Sequence, residues 1–181
     1  GLEGKKGAFI SHIFLNGPAD KAGILPGDFI TAVNGKAIQS TDELVRVVGD
    51  IKPGSTAKLE FIRSGVVMTA STKIELRDNA IASNNANIFP GVTVISLKSD
   101  SIDQKKIPSG VRGALVIDVL AKSPAASMGL QSGDIITKLN GKNIDNLRDF
   151  YELLAKESEK KLVFTVNRNG QTIETLAYVR K

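Results

Sequence analysis

The chain has 181 residues, 41% of them hydrophobic, and it carries a net charge of +5 at neutral pH and no cysteine. The lack of cysteine excludes disulfides, thiolate metal sites and a cysteine nucleophile, and the longest apolar runs are far shorter than the ~20 residues that a membrane-spanning helix needs. Basic and acidic residues are interleaved and only 5% of residues are aromatic, so we expect no binding of nucleic acid or membranes.

One loop-strand-turn segment occurs twice in the sequence. Residues 17–38 read GPADKAGILPGDFITAVNGKAI, and residues 123–144 read SPAASMGLQSGDIITKLNGKNI. A period of about 106 residues indicates two like modules rather than one large domain. We predict a first module at 1–77, a linker rich in Asn, Ala and Ser at 78–87, and a second module at 88–181.

The first module opens with a predicted strand and a predicted hairpin. Residues 7–14 are rich in β-forming types, and a helical turn is predicted to begin near Pro18. The next strand, Phe29–Val33, runs into Asn34-Gly35. Both of these residues tolerate the positive φ of a type I′ turn, so this dipeptide predicts a tight hairpin.

A helix and a second hairpin follow. Ser40 and Glu43 have the spacing of a capping box, and the helix is predicted to end at Gly49. Its apolar stripe consists of Leu44, Val47 and Val48. In the hairpin formed by 56–65 and 66–76, alternation predicts one shared face, formed by Met68, Ala70, Thr72, Ile74 and Leu76.

The second module repeats this order of elements. Strands are predicted within 113–120 and 133–142, a helix is predicted after an N-cap at Asn146, and the last two strands lie within 161–170 and 171–179. The residues that share the apolar face of this helix are Leu147, Phe150, Tyr151 and Leu154.

The two modules differ upstream of the repeat. The second is preceded by a glycine-containing loop and a strand at 89–97, and by a predicted short helix that ends at Pro108. The first has only six residues before Gly7. We interpret the first module as truncated, without the extra loop and strand.

No catalytic set emerges from the sequence. The chain has a single histidine, His12, which lies in a predicted strand, and no serine lies in a GxSxG or GNSGG string. A catalytic Ser-Lys dyad remains an alternative to an inert chain, because serine and lysine are both present and neither residue type by itself marks a site. Gly27-Asp28 and Gly133-Asp134 are read as structural, with each Asp accepting hydrogen bonds from nearby amides. We therefore expect a catalytically inert chain without metal or cofactor.

Two motifs resemble those of a known family. They are PA(A/D)xxG(L/I)xxGDxI(I/T)xxNGKxI in both copies, and IFPGV at 88–92 before the second. Together they resemble the tandem PDZ modules of HtrA-type (Deg) trypsin-like serine proteases, over almost the whole chain. The resemblance implies an α+β, mainly β fold with two partly open PDZ-like β-barrels or sandwiches, each capped by helices, in the bacterial, circularly permuted topology.

The resemblance also implies a peptide-binding site in the second module. An extended peptide can add to a free strand edge, and amides around a glycine can hold its terminal carboxylate. The loop that would bind the carboxylate is Phe89, Pro90, Gly91 and Val92. The strand that would pair with the peptide contains Thr93, Val94 and Ile95. The groove helix would contribute Leu147, Phe150, Tyr151 and Leu154.

Each of these assignments has an alternative. The helix residues could be plain core, since a stripe at helical spacing is more often core than binding site, and the loop could be an ordinary turn. Lys105, Lys106 and Arg112 could attract acidic ligands, although a solvated surface run explains them as well.

The implied function is that of a regulatory region. A protease domain would precede the chain in a parent protein of the periplasm or another extracytoplasmic compartment. The modules would capture C-terminal or unfolded polypeptide segments, regulate the protease in quality control and stress response, and support trimer-based homo-oligomers, with a monomer as the alternative for the fragment. The second hypothesis is that the chain is a PDZ scaffold or adaptor of another parent protein, such as a site-two metalloprotease, a tail-specific protease or a secretion protein. The third hypothesis is that the second module mainly mediates self-assembly.

Overall fold

The computed structural model describes residues 4–76, 84–103, 107–157 and 161–180. It separates into two compact units, Gly1–Asn87 and Ile88–Lys181. The described part is mainly β with few helices, as expected, and its strands do not close a barrel.

The first unit is built around an antiparallel sheet. Its strands follow the order β1-β3-β5-β6, and β4 pairs with β3. A 3-10 helix, Asn85–Asn87, lies at the end of the unit. The elements are β1 (Ala8–Phe9), β2 (Ile13–Phe14), α1 (Pro18–Lys21), β3 (Phe29–Val33), β4 (Lys36–Ala37), α2 (Thr41–Gly49), β5 (Thr56–Arg63) and β6 (Val66–Lys73).

Local sequence signals explain the turns and caps of this unit. Asn34 and Gly35 have φ values of 50° and 77°, which confirms the predicted hairpin turn. The Oγ atom of Ser40 accepts a hydrogen bond from the amide of Glu43 at 3.2 Å. The Glu43 carboxylate accepts from the amide of Gln39 at 2.9 Å, one residue earlier than in an ideal capping box.

The predicted shared face of β6 is wrong at two positions. Thr72 is buried, but Met68 is 39% exposed and Leu76 is 80% exposed. The hydroxyl of Thr72 donates to the Pro18 carbonyl of α1 at 2.7 Å, so α1 covers β6 at its C-terminal end. Met68 lies near the other end of the strand, where alternation alone does not produce burial.

The second unit has a longer sheet. Its order is β14-β13-β10-β9-β8, with β11 on β10, and β12 pairs with β15 separately. Its elements are β7 (Ile88–Phe89), β8 (Val92–Ser96), β9 (Ala114–Val119), α3 (Pro124–Ser127), β10 (Ile135–Leu139), β11 (Lys142–Asn143), α4 (Leu147–Glu157), β12 (Lys161–Leu162), β13 (Phe164–Arg168), β14 (Gln171–Glu174) and β15 (Tyr178–Val179).

The start of α4 follows the prediction, because the side-chain oxygen of Asn146 accepts from the amide of Asp149 at 3.1 Å. The predicted helix before Pro108 falls partly on residues 104–106, which lie outside the described residues. The described residues 97–103 are not helical.

A buried ion pair supports the repeated turn in each unit. The Asp28 carboxylate accepts from the amide of Leu25 at 2.8 Å, and both its oxygens lie 2.6 Å from the Arg63 guanidinium. Asp134 and Arg168 repeat the pair at 2.6 and 2.8 Å. Both Asp residues therefore have the structural role that was predicted. Their bidentate arginine partners were not predicted from the sequence.

Candidate functional site

The loop that connects β7 to β8 is tightly packed. Gly91 has a φ of 75°, and a Cβ atom at this position would lie 2.2 Å from the Cβ of Ser123. No side chain fits that gap, and a positive φ is unfavourable for residues with a Cβ. Gly91 is therefore required both by its backbone conformation and by the close approach of Ser123.

The carbonyls of this loop accept hydrogen bonds from residues just before α3 and in its first turn. The Pro90 carbonyl accepts from the amide of Ala125 at 3.0 Å, and the Gly91 carbonyl accepts from the amide of Leu120 at 2.9 Å. The Ser123 hydroxyl donates to the Gly91 carbonyl at 3.2 Å. These contacts fix the orientation of the two peptide planes after Pro90.

The amide of Gly91 has no acceptor among the residues that the structure describes. Gly91 is buried, and none of the described residues accepts a hydrogen bond from its N–H. Because the peptide group is planar and trans, this N–H points opposite to the Pro90 carbonyl, which is bonded to Ala125. A backbone N–H that has no acceptor within the protein can donate to a bound ligand.

The strand that follows the loop offers a free edge. β8 is the last strand of its sheet and pairs with β9 on one side. Across the described ranges no strand pairs with its other side, and α4 packs near it. Val94 is buried, whereas Thr93 and Ile95 are half-buried. An extended peptide would find backbone partners on this edge and α4 as the facing wall.

The residues of α4 divide into two groups. Phe150 and Leu154 are both 0% exposed, and the Phe150 ring stacks on Phe164 with centroids 6.1 Å apart. This burial favours the core interpretation for these two residues. Leu147 and Tyr151 are only half-buried, so they remain candidates for contact with a ligand.

The electrostatic properties of Tyr151 follow from its position. Burial raises the pKa of its hydroxyl to about 12, and its ring packs edge-on against Phe150 at 5.0 Å. The side chain is therefore neutral near pH 7 and offers the groove an apolar ring with a polar tip.

The side chain of Phe89, the first residue of the loop, packs against residues near the end of the second unit. Its buried ring stacks on Tyr178 at 6.2 Å, and the guanidinium of Arg180 lies 5.4 Å from its centroid. Burial lowers the pKa of Arg180, yet arginine stays charged at neutral pH. A positive charge thus lies beside the first residue of the loop. Neither contact was predicted from the sequence, because Tyr178 and Arg180 are far from β7 in the chain.

The remaining sequence candidates lie elsewhere. His12 lies between β1 and β2 rather than within a strand, and its Nδ1 is 2.9 Å from the Ser11 hydroxyl. Arg112 is exposed, and Lys105 and Lys106 lie outside the described residues. Among the residues that the structure describes, no group of three or more His, Asp or Glu side chains could hold a metal, and no helix there could span a membrane.

The PDZ domain family model matches residues 3–74 and 86–177, which cover most of the chain. The chain belongs to the PDZ domain family. Each unit carries one PDZ match, and the loop and β8 edge described above lie in the second PDZ unit.

Curated relatives of this tandem PDZ chain are periplasmic endoproteases by name. It is 32% identical over 160 residues to a probable periplasmic serine endoprotease DegP-like of Hahella chejuensis, covering 86% of the chain and 34% of the relative. It is 30% identical over 175 residues to the periplasmic serine endoprotease DegP of Salmonella typhimurium, covering 97% and 35%. The chain thus spans about a third of the length of these relatives. A solved structure, the HtrA-type protease AlgW with decapeptide, matches 85% of this chain and 49% of that one at 18% identity, with a TM-score of 0.44.

Proposed function

We propose that the chain is the peptide-binding regulatory region of an HtrA-type serine endoprotease. The second PDZ unit captures C-terminal or extended segments of unfolded proteins by β-strand addition. The similarity to serine endoproteases supports a protease parent over a scaffold or adaptor. The domain limits that accompany this proposal are 1–77, a linker at 78–87 and 88–181.

The amide of Gly91, which has no acceptor among the described residues, carries the proposal. A carboxylate oxygen placed at this N–H would accept a charge-assisted hydrogen bond from it. The amide lies at the start of β8, which has a free edge. A peptide paired with β8 would thus have its terminal carboxylate at Gly91 and its backbone along Thr93 to Ile95.

Two further features favour this ligand. The charge of Arg180 lies beside Phe89, so the potential near the loop attracts an anion. The half-buried Leu147 and Tyr151 are the side chains of α4 that a terminal apolar side chain would contact. Phe150 and Leu154 support these two from the core rather than touching the ligand.

The setting of the whole protein is inferred from the relatives. They are named as periplasmic serine endoproteases, and this chain corresponds to about a third of their length. We place the parent in the periplasm, with a protease domain outside this chain and trimer-based homo-oligomers. Peptide binding would shift the protease toward its active form, because the peptide would bind that form with a higher affinity than the inactive form.

A titration with matched peptides tests the proposal. One peptide with an apolar C-terminal residue is prepared as the free acid and as the C-terminal amide, and each is titrated calorimetrically into the chain. We expect the free acid to bind with an affinity on the order of micromolar and at least about tenfold more tightly than the amide. Equal affinities would refute carboxylate capture at this loop.

A further inference from the structure

The orientation of the loop is set by residues just before α3 and in its first turn. Three donors hold its two carbonyls: the amides of Leu120 and Ala125 and the hydroxyl of Ser123. In a trans peptide the carbonyl of one residue points opposite to the N–H of the next. The hydrogen bonds to the Gly91 carbonyl therefore direct the N–H of Val92 away from α3. In the same way, the hydrogen bond to the Pro90 carbonyl directs the N–H of Gly91 away from α3.

Ser123 is the one side chain among these donors. It is 1% exposed, and its Oγ atom accepts from the amide of Ala126 at 3.2 Å while donating to the Gly91 carbonyl at 3.2 Å. A hydroxyl has a single proton to donate, and the Gly91 carbonyl receives it. One atom thus links the first turn of α3 to the loop.

The first unit shows that this residue is not needed to form the turn. Gly17 occupies the equivalent position in the repeat and is the N-cap of α1, without any side-chain hydrogen bond. α1 nevertheless has the same length as α3, with proline as its first residue. In the second unit the serine caps α3 and also contacts the Gly91 carbonyl, a contact that a glycine could not make.

We propose that Ser123 is the positioning residue of the carboxylate site: its hydroxyl fixes the Gly91 peptide plane and so directs the Val92 amide toward the terminal carboxylate of the bound peptide. The inference rests on the proposed function and names a residue that acts on that site without touching the ligand. The measurement that reports this role is the preference of the site for a free-acid peptide over the amidated one. A general loss of stability would weaken the binding of both peptides equally and would leave this preference unchanged.

The test measures this preference in three variants. Ser123→Ala removes the donor, Ser123→Cys keeps the size with a weaker donor, and Ser127→Ala is the control. Ser127 lies on the same helix, and its hydroxyl donates to the Pro124 carbonyl at 2.6 Å rather than to the loop. Circular dichroism selects the variants that fold, and the same acid and amide peptides are titrated into each.

We expect the acid-to-amide affinity ratio to fall about three- to tenfold in Ser123→Ala, less in Ser123→Cys, and not at all in Ser127→Ala. A wild-type ratio above one that stays unchanged in the folded Ser123 variants would overturn the role of Ser123 and leave the proposed function intact. If Ser123→Ala fails to fold, Ser123→Cys decides by the same criterion. A wild-type ratio of one would refute the proposed function and the inference with it.

Discussion

The corresponding helices of the two units, α2 and α4, are buried to different extents. Leu44 and Val48 of α2 correspond to Phe150 and Leu154 of α4 in the repeat, yet the first pair is half-buried and the second fully buried. In the described structure the sheet of the first unit ends at β1, whereas that of the second continues to β8, against which α4 packs. This additional strand therefore packs against α4 and, among the described strands, leaves one of its edges unpaired.

The largest expected effect concerns this core. Leu154→Ala should destabilise the second unit by about 2–5 kcal/mol, because it opens a cavity in a fully packed site. Val48→Ala should cost the first unit about 1 kcal/mol or less, since its side chain is already partly solvated. Hydrogen exchange resolved by peptide measures the two units separately in one chain. Equal losses at the two positions would contradict the covering role assigned to β8.

The next effect concerns the loop between β7 and β8 of the second unit. Gly91→Ala should weaken binding of a free-acid peptide at least about tenfold, because its Cβ would displace Ser123 and shift the loop. Gly110→Ala is the matched control, since Gly110 has a φ of 77° with no atom within 4 Å of its Cβ position. Both variants share the backbone strain, so an equal loss of affinity would show that strain, rather than loop geometry, governs binding.

The smallest effect is a pH dependence that Tyr151 should give the second unit. Burial raises the pKa of Tyr151 to about 12, while the unfolded chain ionises near ~10. The neutral form is favoured by folding, so this contribution is fully present below pH ~10 and is lost as pH rises toward 12. Position 45, its counterpart in α2, is a valine that is 68% exposed.

Denaturant unfolding followed by tyrosine fluorescence at pH 9 and pH 11 measures this loss. Both tyrosines of the chain lie in the second unit, so the signal reports on that unit alone. Tyr151→Phe should reduce the alkaline loss of stability, and the tyrosine that remains, Tyr178, still reports unfolding. An unchanged loss would show that Tyr151 does not contribute.

Local signals allowed much of the fold to be predicted. The Asn-Gly turn at Asn34 and the caps at Ser40 and Asn146 depend on residues close in sequence, and each was confirmed. The ion pairs of Asp28 and Asp134 were missed because their arginines lie more than 30 residues away. An arginine two residues before a glycine in both final hairpins, at 63 and 168, was the available signal.

The site was less predictable than the fold. Helical periodicity places Leu147, Phe150, Tyr151 and Leu154 on one face, but it cannot separate core from groove, because that depends on the strand opposite. The contacts of Phe89 with Tyr178 and Arg180 bring together residues from the start and the end of the sequence of the second unit. The role of Ser123 depends on a close approach of two backbones, which no sequence pattern encodes.

The central claim is that the backbone amides at Gly91, next to the β8 edge, bind the end of a peptide. Amide chemical shifts of the 15N-labelled chain, followed during titration with the free-acid and amidated peptides, test it most directly. We predict that the Gly91 and Val92 cross-peaks shift most with the free acid, that those of β8 shift with both, and that the amide leaves Gly91 nearly unchanged. Largest shifts outside β8, α4 and the loop, or identical Gly91 shifts with both peptides, would contradict the claim.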